Sequence, residues 1–305
     1  MIRKSIYVVF ILLFASINGY ATPNLLDTSY NITLVASGLG AGAGAMALDN
    51  EGNLFINDYR DPGTGNGRIH WFTPNGEYSI INSNIYYSGA IAVLPNGNLL
   101  VGPGPGYEVT REGYVSVFST ALSCPYNIKP DGLGNFYISE GCAGKITILH
   151  ADKSITTFAS GLNNPNDLTF DDQGHLWVSE HSLGTVIEFD STGQKIQEIT
   201  GFSQYGPGAM EFWNGSIFMS NPMDATIVRI EKNGSWTYFA NGFTGKMNPP
   251  FNGPSGLLAV GNTLYIGDAD NLWKMQPVPE PTTLVLLGTG LAGMVLFRKS
   301  LLQNS

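Results

Sequence analysis

Pro165-Asn166-Asp167-Leu168, a polar turn through Gly174, then Leu176-Trp177-Val178-Ser179-Glu180: this stretch decides the fold. Two short apolar runs flank a turn, and each run is too continuous to leave one face in water. Strands buried on both faces read this way. The same unit recurs along the chain. Gly44 to Asp49 leads through Gly52 to Leu54-Phe55-Ile56-Asn57-Asp58, and Gly89 to Val93 leads through Gly97 to Leu99-Leu100-Val101. Pro125-Tyr126-Asn127-Ile128 leads through Gly134 to Phe136-Tyr137-Ile138-Ser139-Glu140. Pro207 to Met210 leads to Ile217-Phe218-Met219-Ser220-Asn221, and Pro254 to Leu257 leads to Leu264-Tyr265-Ile266-Gly267-Asp268.

The apolar anchors Met46, Ile91, Ile128, Leu168, Met210 and Leu257 are spaced by about forty residues, the length of a four-stranded blade. A third strand follows most hairpins, as in Gly67–Phe72, Gly113–Phe118, Gly144–Leu149 and Gly184–Phe189. A fourth, half-exposed strand alternates, as in Ser154–Ala159. The second copy is irregular, with little room between Phe118 and Pro125 for its fourth strand. The last copy stops after Asn271–Met275, while Ile32–Leu39 has the form of an outer strand. The expected fold is therefore all-β: a six-bladed β-propeller closed by an N-terminal strand, which removes the open edges between first and last blades.

Bulk composition agrees. Only 13% of residues are charged and 38 are glycine, which suits turn-rich β-structure. The net charge of −9 repels phosphate backbones, so nucleic acid is excluded as a partner. Phosphate-loop, Gly-x-Ser-x-Gly and His-Glu-x-x-His motifs do not occur.

The two ends read as addresses. Residues 1–21 form a secretory signal: Arg3 and Lys4, an apolar Tyr7–Ala15, and small residues at Gly19 and Ala21. The propeller is expected over 22–277. Residues 278–305 hold Pro279-Glu280-Pro281, an apolar Thr282–Phe297 and basic Arg298-Lys299. As a helix, Thr282–Phe297 spans about 24 Å, and Arg298 and Lys299 would flank the membrane on the cytoplasmic side. This order resembles the PEP-CTERM sorting signal of Gram-negative and related bacteria. The resemblance implies an exosortase as partner, besides signal peptidase and the export machinery, and a transient inner-membrane anchor for a body in the periplasm, on the outer surface or secreted.

The body itself resembles NHL-type and gluconolactonase-like (regucalcin-like) propellers, and more loosely virginiamycin B lyase; it lacks the Gly-His and Trp-Asp marks of WD40 blades. In such propellers the residues before the first strand and after the second face one mouth of the central channel. Here those positions include Asp58, Asn127, Glu140, Asn166, Asp167, Glu180, His181, Asn221 and Asp268. Asp58, Asn127, Glu140, Asn166 and Asp268 are the candidate metal ligands, and Ca²⁺ is the cation their oxygens would suit. The alternative is that they cap strand ends and satisfy loop backbone. The gluconolactonase-like family holds its metal with a Glu, an Asn and an Asp. Asn166 matches the Asn, but Gly208 stands where the Asp belongs and Asp58 is only a loose substitute for the Glu. Glu180 and His181 are candidate acid/base residues, although neighbours on an extended chain point to opposite faces. Antiparallel pairing about the turn Gly132–Gly134 brings Cys124 beside Cys142, which predicts a disulfide in an exported chain. The functional expectation is an exported binding propeller, with extracellular polysaccharide or an envelope protein as partner. The alternative is a metal-dependent hydrolase or lyase.

Overall fold

The structure, a computed structural model, describes residues 21–39, 43–58, 67–85, 89–102, 106–244 and 253–279. The expected signal peptide before Ala21 and the tail from Glu280 onward, including Pro281, Arg298 and Lys299, lie outside the described residues. Among those described, no helix is long and apolar enough to cross a membrane.

Six antiparallel sheets form the body. Blade 1 comprises Ala43–Leu48, Leu54–Asp58, Gly67–Phe72 and Tyr78–Ile85; blade 2 comprises Ile91–Val93, Leu99–Val101, Tyr107–Val109 and Val115–Val117. Blade 3 runs Pro125–Pro130, Phe136–Glu140, Lys145–Leu149 and Ile155–Ser160, and blade 4 runs Pro165–Phe170, Leu176–Glu180, Thr185–Phe189 and Lys195–Ile199. Blade 5 runs Met210–Trp213, Ser216–Asn221, Thr226–Ile230 and Trp236–Asn241; blade 6 runs Gly256–Val260, Thr263–Asp268 and Asn271–Pro277. Each inner strand lies beside the next, and blade 6 returns to blade 1.

Tyr30–Ser37 supplies the outer strand of blade 6, with Ile32 opposite Met275 and Ser37 opposite Asn271. The closure is tight. A Cβ on Gly256 would lie 1.9 Å from the Gly44 carbonyl oxygen, so only glycine lets the two inner strands approach this closely. Ser255 Oγ donates to the Ala43 carbonyl at 2.9 Å across the same seam.

Two details depart from the expectation. In blade 2 the third strand is Tyr107–Val109, and Val115–Val117, expected as the third, is the outer strand. Tyr107–Val109 has only three residues, too few to carry a periodic signal. Blade 5 gains a fifth strand, Asn24–Leu25, paired with Asn241 and Ala240.

The core follows the ring. Six buried clusters each fill the gap between two adjacent blades. Between blades 3 and 4, Ile146 packs with Leu168, Val178 and Phe189, while Tyr137 meets Phe170 edge-on at 4.9 Å. This is why the anchors repeat with the blade period: each serves the same interface one blade further on.

Candidate functional site

The hairpins define two ends of the ring. The turns between first and second strands lie at one end. The other, the mouth, carries the ends of the second strands and the linkers between blades. In blades 3 and 4 the inner strand enters through a register irregularity, at Pro125/Asn127 and Pro165/Leu168. Serines on the second strands absorb it. Ser139, Ser179 and Ser220 accept the N–H of Asn127, Asp167 and Ala209 at 2.8–2.9 Å. Ser139 then donates to the Asn166 carbonyl at 2.6 Å and Ser179 to the Gly208 carbonyl at 3.0 Å, so one hydroxyl joins its own strand to the next blade.

The acids that end the second strands turn into their own blades. Glu140 accepts the Ser123 N–H at 2.6 Å and the Thr147 hydroxyl. Glu180 accepts the Asn163 N–H and the Thr185 hydroxyl, both at 2.7 Å. Asp268 accepts the Thr244 N–H at 3.3 Å. Ser123, Asn163 and Thr244 all lie in linkers that enter the respective blades, so each carboxylate clamps its incoming chain. Asp58 instead pairs with Arg68 at 3.0 Å, and Asn221 bonds Asp224. Asp58, Glu140 and Asp268 are fully buried. Among the described residues, these three carboxylates do not form a group that could hold a metal ion. The physical reason is local: a buried carboxylate is stabilised by the nearest unpaired linker N–H, a charge-assisted hydrogen bond.

Glu180 and His181 separate as extended neighbours must. Glu180 is buried in its clamp, while His181 faces the mouth, with Nδ1 3.1 Å from the Pro207 carbonyl and its ring 5.4 Å from that of Tyr205. Burial pushes the His181 imidazole below its ordinary value, against the opposing pull of the Pro207 carbonyl. Asn166 Nδ2 reaches the same carbonyl at 3.5 Å.

Deeper in the channel lies a cavity of about 20 Å³ lined by Ala45, Asn127, Lys129, Asp167, Ala209 and Gly256, room for about one water. Its polar arc comes from blades 3 to 5. The Lys129 ammonium pairs with the Glu211 carboxylate, whose other oxygen accepts the Ala259 N–H at 3.2 Å. Asp167 is half-buried, with part of its surface bordering the cavity. Burial raises its carboxyl to about 7, with Lys129 pulling down and Glu211 pushing up. Asn127 Oδ1 is buried with no hydrogen-bond partner. Lys129 and Glu211 escaped the sequence reading, although each breaks an apolar run at an inner-strand position where blade 1 has Ala47 and blade 2 Ala92.

At the entrance to blade 3, a disulfide joins Cys124 to Cys142, with the Cα atoms 5.5 Å apart. It ties the blade 2–blade 3 linker to the loop after Glu140, beside the Glu140 clamp.

A family model described as the PEP-CTERM protein-sorting motif matches residues 277–300, which marks the chain as exported and carrying a C-terminal membrane-anchoring sorting tail. No curated protein matches the chain. Among solved structures, a gluconolactonase from Xanthomonas campestris is similar at 14% identity and a TM-score of 0.63, over 85% of this chain and 96% of that one. Virginiamycin B lyase from Staphylococcus aureus, solved with quinupristin, is similar at 16% identity and a TM-score of 0.58, over 78% and 82%. An auxiliary nutrient binding protein from Bacteroides ovatus is similar at 14% identity and a TM-score of 0.64, over 82% and 77%. At these identities the likeness establishes the six-bladed propeller and leaves activity open.

Proposed function

We propose that this exported propeller is a binding protein of the cell envelope or its surroundings, handled by an exosortase and presenting its mouth to an extracellular polysaccharide. One observation carries the reading. The acids that a catalytic mouth would need are buried in the blades, where they hold linkers. What the mouth offers solvent is different: the half-buried His181, the Asn166 amide and the Tyr205 ring, which is 40% exposed. Aromatic faces beside amides suit sugars, which present apolar C–H surfaces and hydroxyls together.

The course of the last strand agrees with this reading. The last strand ends at Pro277, and Gln276 donates to Thr263 in the hairpin turn of blade 6. The described chain therefore leaves the ring at the turn end, opposite the mouth.

The test is calorimetric titration of the protein with exopolysaccharide from its own host, against Tyr205→Ala. Saturable binding that the variant loses is expected; no binding, or equal binding by both proteins, would overturn the reading. A metal-dependent hydrolase or lyase of the gluconolactonase-like class is the competing reading, and it predicts Ca²⁺-dependent turnover of a lactone with a rise in melting temperature on Ca²⁺ addition.

A further inference from the structure

At the turn end, far from the mouth, blade 4 differs from its siblings in a chemically specific way. Its hairpin turn, Asp171 to His175, stands where blade 1 has Asp49 to Asn53 and blade 3 has Asp131 to Asn135. In all three, one aspartate oxygen accepts two backbone N–H groups and shapes the turn. In blades 1 and 3 the asparagine amide then donates to the second oxygen, at 2.7 and 2.6 Å. Blade 2 has no turn aspartate; there Asn96 and Asn98 donate to Glu108 on the third strand. Blade 4 alone joins both acids, the turn Asp171 and the third-strand Glu188, and places an imidazole where the other three blades carry an amide.

The resulting group is compact. His175 Nδ1 is 2.7 Å from Glu188 Oε1 and 3.8 Å from Asp171 Oδ2. All three ligand atoms lie within 4.8 Å of one another, and among the described residues this is the one such group of His, Cys, Asp or Glu. Both carboxylates are buried, and neither has a Lys or Arg within ion-pair distance among the described residues. With a neutral imidazole, two negative charges are thus drawn out of water without a cation to match them. Outer partners hold the acids in place: Trp177 Nε1 donates to Asp171 Oδ2 at 3.2 Å and Gln197 Nε2 to Glu188 Oε2 at 2.5 Å. Such partners orient metal ligands. The His175 side chain is 27% exposed, which leaves a path for an ion and a water ligand.

We propose that Asp171, His175 and Glu188 form a binding site for a divalent transition-metal ion of the zinc class. Imidazole with carboxylates favours such ions over Ca²⁺. Ligand bonds of about 2.0–2.2 Å in tetrahedral geometry separate ligand atoms by roughly 3.3–3.6 Å, between the two His175 distances, so small side-chain rotations suffice.

The experiment uses the full chain in detergent, without a polyhistidine tag and stripped by chelator. Co²⁺ titration followed by visible absorption is expected to saturate at one equivalent, with Zn²⁺ displacing the signal and raising the melting temperature. His175→Asn restores the residue found in the sibling blades, so the metal-free variant should melt close to the parent; its Co²⁺ affinity should fall by about 100-fold or more. Glu188→Gln should do the same, and His150→Asn should bind like the parent. Absence of one-equivalent binding, or His175→Asn and Glu188→Gln proteins that titrate unchanged, would overturn the proposal.

Discussion

Blade 4 and blade 2 are copies of one unit built to different standards. In blade 4 the second and third strands are buried throughout, Ser179 bonds across to blade 5, and Glu180 clamps the entering linker. In blade 2 every strand has three residues, the outer one is wholly exposed, and the sequence has Gly102 where the serine would be and Pro103 where the acid would be. Blade 2 is held otherwise. A Cβ on Gly102 would lie 2.5 Å from the Pro125 carbonyl oxygen, so backbone packs directly on blade 3. The linker that follows is fastened by the disulfide and by Glu140. The contrast shows that the mouth acids belong to the ring's internal fastening, each holding the linker that enters its own blade.

If so, Glu180→Ala should be the most damaging change. It strands the Asn163 N–H and the Thr185 hydroxyl and is expected to cost about 3–4 kcal/mol in denaturant unfolding; a cost below about 1 kcal/mol would remove the clamp from the account. Cys142→Ser tests the covalent tie on the linker between blades 2 and 3. The loop closed by the disulfide has a sequence separation of 18, and its loss should lower stability by about 3 kcal/mol, matched by reductant acting on the parent.

Asp167→Asn sharpens the comparison inside the regular half, because it gives blade 4 the residue blade 3 has at Asn127. The Asp167 carboxyl is raised from 3.8 to about 7 in the fold. Between those values the native state keeps a proton that the unfolded chain releases, so its contribution falls as pH rises through that window. The variant should flatten that slope and gain about 2 kcal/mol at pH 8, less than the full shift implies because the group borders the channel cavity. Urea unfolding at pH 5 and pH 8 checks both sign and size. Smallest of all, Val117→Thr on the exposed strand of blade 2 should move stability by less than about 0.5 kcal/mol; a larger loss would mean that this edge is more than a cover.

Much of this was legible in the chain. The spacing of Met46, Ile91, Ile128, Leu168, Met210 and Leu257, and the likeness of Ile32–Leu39 to an outer strand, specify ring and closure, because each blade buries the same face against its neighbour. Cys124 and Cys142 could be paired from hairpin register alone. Tyr107–Val109 and Asn24–Leu25 could not be read, since strands of three and two residues carry no period and exist only because a sheet edge is there to receive them.

The destination of side chains was left to tertiary structure. That Glu140, Glu180 and Asp268 follow their second strands is a matter of sequence. Whether they reach a channel or a linker depends on where the nearest unsatisfied N–H lies, and that N–H belongs to residues 17, 17 and 24 positions away. His175 was equally mute beside Asp171 until the third strand brought Glu188 to it. Periodic burial is a local property that a sequence displays directly, whereas partnership between polar atoms is settled only when distant segments share one place.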